Sequence, residues 1–202
     1  MDAMDDRVVI ALFRHGVTEA NEKHAYLGWT DSPLYPMESI HSLRYEQFFS
    51  SDLPRCMETL RILFPTARPV VLKELREMNF GKWEGKTYEE LKEIQEYQDW
   101  LANPFEKTPL EGESFEEFSK RIQAGWDRIV ADCSGCNRIA VMTHGGVIRY
   151  LLSQYAPVQK EFWDWQVGHA SGYELEFEID ALRRGERCTL LREVPLTEKR
   201  HG

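Results

Sequence analysis

Val8-Val9-Ile10-Ala11-Leu12-Phe13, with Arg14-His15-Gly16 directly behind it, is the stretch on which the fold turns. An unbroken apolar run with β-branched side chains suits a strand covered on both faces of a sheet. A second such run, Ile139 to Met142, leads into Thr143-His144-Gly145-Gly146. Beyond it, Gly146 to Tyr155 reads as a helix with Val147, Tyr150, Leu151 and Gln154 at helical spacing. Strand, short turn and helix form the repeating unit of α/β proteins. The pattern predicts a three-layer α/β/α sandwich with a mostly parallel central sheet.

The remaining elements follow from local signals. Phe48 to Ser50 is a short strand, and Arg55 begins a helix running through Glu58 to Leu63. Thr87 with Glu90 is a capping box for a helix whose apolar face is Leu91, Ile94 and Leu101, ended by Asn103-Pro104. Ser114 with Glu117 caps a second helix, with Phe118, Ile122, Ile129 and Cys133 aligned and Phe115 and Trp126 near the same stripe. Tyr173 to Ile179 alternates apolar residues with Glu, as a strand with one wet face towards a sheet edge does. No repeat or Gly/Ser linker divides the chain. One domain over residues 1–202 is therefore expected, with a core of about 8–180 and a helical cap or lid insertion of about 82–133.

A chain of 202 residues buries enough surface to hold a core without disulfides or a structural metal. Its net charge of −9 repels nucleic acid and anionic membrane faces, so neither is expected as a partner. A small anionic substrate stays open, because a few local cations reverse the field inside a cleft. Cys133-Ser134-Gly135-Cys136 reads as a glycine turn between a helix and a strand, not as a redox or metal motif. Cys56 and Cys188 stand alone, and zinc-like spacing is absent. The first six residues do not resemble a signal peptide, and no apolar run of about 18 residues occurs, so the expected location is the cytoplasm. Oligomeric state is not written in the pattern; a homodimer is compatible with it.

Ligands of open α/β sheets collect at the carboxyl ends of the strands. His15 and His144 both fall there, each followed by glycine, and His144 opens a helix whose free N–H groups favour phosphate. Arg14 stands beside the first histidine. Arg55 offers a rigid guanidinium fork matched to phosphate oxygens. Cleavage of a phosphate ester also needs a proton for the leaving oxygen. Glu74, Glu77 and Glu84 are equal candidates for that acid on these grounds. His24, His41 and His169 read as surface or packing residues, and Trp163 and Trp165 as core. Trp29, Tyr35, Phe105 and the stretch Asn103 to Glu111 suit either a lid over a ring-bearing leaving group or plain surface packing.

Arg14-His15-Gly16 with Thr18 and Asn21, Ser51 to Arg55 with Thr59, Glu77 ahead of Phe80-Gly81, and Thr143-His144-Gly145-Gly146 occur in one order. Together they resemble the histidine phosphatase superfamily, which includes cofactor-dependent phosphoglycerate mutase. Trp83-Glu84-Gly85 and Gly112-Glu113-Ser114 are similar to its bacterial branch of alpha-ribazole and broad-specificity phosphatases. The resemblance covers roughly residues 8–155. It implies that His15 is the nucleophile and that Arg14, Arg55 and His144 clamp the phosphoryl oxygens. Glu77 becomes the proton donor and later the activator of water, with Asn21 and the Gly145 amide assisting. It implies no metal and no cofactor, and a small phosphorylated substrate.

Two departures bear on the activity. Ser32-Pro33-Leu34 and Ser51 stand too close to hold the family's usual helix, so Tyr35 to Tyr45 must replace it with something shorter. Val17 follows Gly16 where mutases often carry Glu, and paired arginines for a second phosphate are not evident between Trp83 and Ser114. The last two points favour a phosphatase over the alternative of a phosphoglycerate-type mutase, and the presence of His15 and Glu77 speaks against a non-catalytic phospho-ligand-binding protein.

Overall fold

A computed structural model describes residues 7–38, 43–133 and 135–196. The first apolar run becomes β1 (Arg7–Arg14), and the other strands are β2 (Gln47–Ser50), β3 (Val70–Val71), β4 (Arg138–Thr143), β5 (Ser171–Glu178) and β6 (Leu190–Pro195). They form one sheet in the order β3-β2-β4-β1-β5-β6. β3, β2, β4 and β1 are mutually parallel, and β5 is antiparallel to both β1 and β6.

Side chains of β1 alternate between the two faces, as the strand period demands. Val8, Ile10 and Leu12 enter one core with helices α5 (Phe115–Asp132) and α6 (Gly145–Tyr155). Ala11 and Phe13 enter another with α2 (Pro54–Leu63). Helix, sheet and helix make the expected three layers. The helices α1 (Glu19–Glu22) and α7 (Ile179–Arg183) are short. Among the described residues, no helix is long and apolar enough to cross a membrane.

Several local expectations change. The helix predicted after Thr87 is two helices, α3 (Tyr88–Leu91) and α4 (Gln95–Ala102). Leu91 is buried, but Ile94 and Leu101 are exposed; Tyr97 and Trp100 take the inner face with Trp83. In one continuous helix Leu91 and Tyr97 would be six steps of about 100° apart and could not share a face. The break lets both reach Trp83. The buried stripe of α6 is Val147, Ile148, Leu151, Leu152 and Tyr155, rotated away from Tyr150 and Gln154. The helical insertion also ends sooner than residue 133, because α5 lies on the sheet and buries Phe118, Ile122, Trp126 and Ile129 there.

The alternating strand lies towards the edge as expected, one place in from it. β5 is paired on both sides, and β6, which carries no alternation in sequence, is the outer strand. The glutamates of β5 are covered by partners: Glu174 by Tyr45 and Arg138, and Glu176 by Arg7. A row of carboxylates on a sheet face is tolerated once cations from neighbouring strands stand across from it. Gly135, at φ 94, turns the chain from α5 into β4 as expected, and Cys133 and Cys136 are free thiols. Residues 35–38 and 43–45 contain no helix. His41 and part of the shortened Tyr35–Tyr45 segment lie outside the described residues.

Candidate active site

Three adjacent parallel strands deliver the predicted residues to one edge. In the β2-β4-β1 register, Ser50 lies opposite Met142 and Arg14 opposite Thr143. The next residues, Ser51, His144 and His15, leave the sheet together. The Ser51 amide donates to the Met142 carbonyl (2.9 Å), and the His15 amide donates to the Thr143 carbonyl (3.1 Å).

His15 and His144 lie edge to face, with ring centres 5.2 Å apart, and both are buried. Nδ1 of His15 is 2.7 Å from the carbonyl oxygen of Gly16. A carbonyl only accepts, so Nδ1 carries the hydrogen and the lone pair is on Nε2. Burial, then Arg55 and Arg14, hold the His15 pKa well below its usual value. The ring is therefore neutral and nucleophilic at neutral pH. Nε2 of His144 meets Ser51 Oγ at 2.9 Å, and burial followed by Arg55 likewise keeps this ring neutral. Cys56 stands beside His144, but burial pushes its thiol up to about 12, so it does not compete as a nucleophile.

The two arginines are held from behind. Arg14 donates Nη1 to the Val167 carbonyl (2.7 Å), and burial pulls its pKa down to about 10, still charged at neutral pH. Arg55, which its place on a first helical turn would leave exposed, is 1% exposed. It donates Nη1 to the Thr30 carbonyl (3.1 Å) and Nη2 to the Gly28 carbonyl (2.6 Å). Gly28 allows this crossing, since a Cβ there would lie 2.3 Å from the Met78 carbonyl oxygen. In both arginines the buried Nε–H has no acceptor among the described residues. Buried donors without partners are rare, and two beside one histidine suit an oxyanion ligand.

Glu77 follows the single turn Lys73–Leu75. Its Oε2 accepts from the Gly146 amide at the start of α6 (2.9 Å), and its Oε1 from the Met78 amide (3.0 Å). It shares a cavity of about 580 Å³ with Arg14, Asn21, Gly146 and Arg149, and is the only carboxylate among the described residues lining it. Glu84 instead accepts from the amides of Trp29 and Phe80, holding two loops together. Glu74 does not line the cavity. Geometry thus separates three acids that residue type and spacing left equal, and the one at the cavity is Glu77, the acid that the family resemblance implied. Asn21 reaches the cavity wall while its Oδ1 caps α1 through Thr18. A Cβ on Gly145 would stand 3.2 Å from Arg14 Cζ, so glycine there lets the guanidinium lie against the helix start.

Three contributors were not singled out from sequence. His169 lies with its ring 5.4 Å from that of His15, and burial holds its pKa down at about 4. No strand or helix signal marks this position; the following Ala170, at φ 47, is a turn no motif announces. Arg149 lines the cavity one helical turn beyond Gly145. Trp163, expected in the core, is 52% exposed and forms the cavity rim with Phe105, whereas Trp165 is buried as expected. Tyr35 stays away from that cavity.

The third contributor is Arg121 on α5. It donates to the carbonyls of Glu74 (2.8 Å), Arg76 (2.6 Å) and Glu77 (2.8 Å) and pairs with Glu113. The loop carrying Glu77 is pinned at three points by one side chain. Lysine cannot reproduce that fork. Arg121→Lys should therefore lower kcat by roughly 10- to 100-fold with little change in KM. Hydrogen exchange should quicken at the Met78 and Gly146 amides. Unchanged exchange together with unchanged kcat would show that the clamp does not position Glu77.

The family model of the histidine phosphatase superfamily (branch 1) matches residues 10–184. The chain belongs to this superfamily. An adenosylcobalamin/alpha-ribazole phosphatase of Salmonella typhimurium is 30% identical over 157 residues, spanning 71% of this chain and 77% of the relative. A 2,3-bisphosphoglycerate-dependent phosphoglycerate mutase of Cytophaga hutchinsonii is 25% identical, spanning 85% and 90% of the two chains. The alpha-ribazole phosphatase of Shigella flexneri shares the fold, with a TM-score of 0.76 at 22% identity over 84% of this chain and 91% of that one. A phosphoglycerate mutase of Thermus thermophilus gives a TM-score of 0.67 at 26% identity, over 94% of this chain and 99% of the other. The relatives named here are thus phosphatases and mutases.

Proposed function

We propose that the protein is a metal-independent phosphoric monoester hydrolase acting through a phosphohistidine on His15. One observation carries this reading: the Nδ1–H of His15 is tied to the Gly16 carbonyl, which leaves Nε2 as the attacking atom beside two guanidiniums. Nε2 attacks phosphorus, and the bond to the leaving oxygen breaks. Glu77, as the acid, gives that oxygen its proton. In the second step the Glu77 carboxylate takes a proton from water, the water oxygen bonds to phosphorus, and the phosphorus–nitrogen bond breaks. Inorganic phosphate leaves, and His15 returns to its neutral form. Arg14, Arg55 and His144 oppose the charge that spreads over the phosphoryl oxygens, which a loose transition state requires.

Transfer to water suits the walls better than transfer to a second hydroxyl. A mutase also holds a second anionic group, and beyond Arg14 the cavity offers only Arg149 as a cation among the described residues. The test is a trapping experiment. With Glu77→Gln, release of phosphate from a monoester should slow by about 10²- to 10⁴-fold. If water activation slows more than phosphoryl transfer, an acid-labile phosphoryl group should accumulate and map to His15 by mass spectrometry. A variant that turns over at the wild-type rate removes Glu77 from the mechanism. A phosphoryl group on any other residue removes the mechanism itself.

A further inference from the structure

The site described so far needs only part of the cavity it opens into. Within its volume of about 580 Å³, Arg14, Asn21, Glu77 and Gly146 supply only a minority of the lining residues. Its walls are two aromatic groups. On one side Phe105, Phe115 and Phe162 meet edge to face, with Phe105 and Phe115 centred 4.6 Å apart, and Trp163 closes the rim. On the other side stand Tyr26, Phe80 and Trp100, with Tyr26 and Phe80 centred 5.0 Å apart. Phe105 and Trp163 remain 47% and 52% exposed. Leaving such rings at the mouth of a cavity forgoes burial that a ligand of matching chemistry would restore.

We infer that the substrate is a phosphate monoester whose leaving group carries an aromatic ring, seated between these two walls. The inference rests on the hydrolase reading and adds the substrate class. Arg14 and Glu77, the proposed clamp and proton donor, line the same cavity as these rings, so a leaving group protonated by Glu77 lies in the aromatic space. Rings meeting at about 4.5–7 Å gain attraction beyond that of area alone, and a flat guest in this cavity comes within reach of both groups. A compact polar leaving group would leave most of the wall against water. Among the described residues Glu77 is the only carboxylate lining the space, and Arg149 is placed over Trp163 at 5.7 Å with its Nε given to the Trp165 carbonyl.

The experiment compares 2-phenylethyl phosphate with ethyl phosphate, whose leaving alkoxides are of similar basicity and differ in the ring. The phenylethyl ester should show a kcat/KM about 10- to 100-fold higher. In the double variant Phe105→Ala, Trp163→Ala that ratio should fall towards one; a general loss of folding would lower both values and leave the ratio alone. Equal kcat/KM for the two esters in the wild type overturns the inference and leaves the hydrolase reading standing. If neither ester is cleaved and no phosphoenzyme forms, the hydrolase reading falls. Calorimetry with 2-phenylethylphosphonate and ethylphosphonate then still decides the ring site. Equal affinity overturns it, and tighter binding of the ring compound, lost in the double variant, supports it.

Discussion

His15→Ala should yield a folded protein whose kcat/KM for any phosphate monoester is lower by about 10⁴-fold or more, the scale on which a nucleophile's removal is felt. The fold should survive, because the ring contributes one hydrogen bond, from Nδ1 to the Gly16 carbonyl, and no wall of either apolar core. Leaving that carbonyl unpaired costs about 1–3 kcal/mol. His15→Asn keeps an amide donor near that carbonyl while removing the nucleophile, so it should be more stable than the alanine variant and equally inactive. Activity above about a tenth of wild type in either variant would place the chemistry elsewhere.

The same residue sets the pH profile. Its folded pKa is depressed by burial and by Arg55 and Arg14. The neutral, attacking form therefore persists as pH falls through the ordinary histidine value of about 6.5. The acid limb of kcat/KM, which reports the free enzyme, should lie below that value. The stability consequence has a definite sign. Between about pH 6.5 and the depressed folded pKa, the unfolded chain binds a proton that the folded chain refuses, so stability declines as pH falls. His144 and His169, lowered for the same reason, add to the decline. Thermal unfolding recorded across this range checks the slope.

If Arg55 clamps the phosphoryl group as proposed, Arg55→Ala should be the second severe loss, about 10³-fold in kcat/KM, the scale on which arginines act in phosphoryl transfer. It should also lower the melting temperature. Arg55 is tied to the carbonyls of Gly28 and Thr30, and the buried Gly28 oxygen would lose its partner at a cost of about 1–3 kcal/mol. Arg55→Lys restores the charge without the fork, so it should recover only part of the activity. A lysine variant within threefold of wild type would mean that charge alone suffices here. Kinetics and calorimetric unfolding on the same preparations separate the two effects.

Sequence pattern carried the reading furthest where the cause is local. The runs ending at Phe13 and Met142 are strands because apolar, β-branched residues are contiguous there. Thr87 and Ser114 open helices because their caps are written within four residues. It carried less where a partner far along the chain decides. Tyr173 to Ile179 alternates like an edge strand, yet β6 covers it, and the Arg138 and Tyr45 side chains that neutralise Glu174 lie 36 and 129 residues away. Leu91 and Tyr97 share a pocket only because the helix breaks between them.

The site divides along the same line. Residue types, glycines and strand ends at Arg14-His15-Gly16 and Thr143-His144-Gly145 are properties of the sequence itself, and so are the family's spacings. The resemblance pointed to Glu77, but its place on the cavity wall apart from Glu74 and Glu84, the burial of Arg55, the approach of His169 and the grip of Arg121 belong to the tertiary structure. Each depends on the order in which β2, β4 and β1 lie side by side and on where α5 and α6 begin. Short-range preferences act within a turn or a strand, whereas side chains dozens of residues apart meet only when the whole sheet and its two cores are assembled.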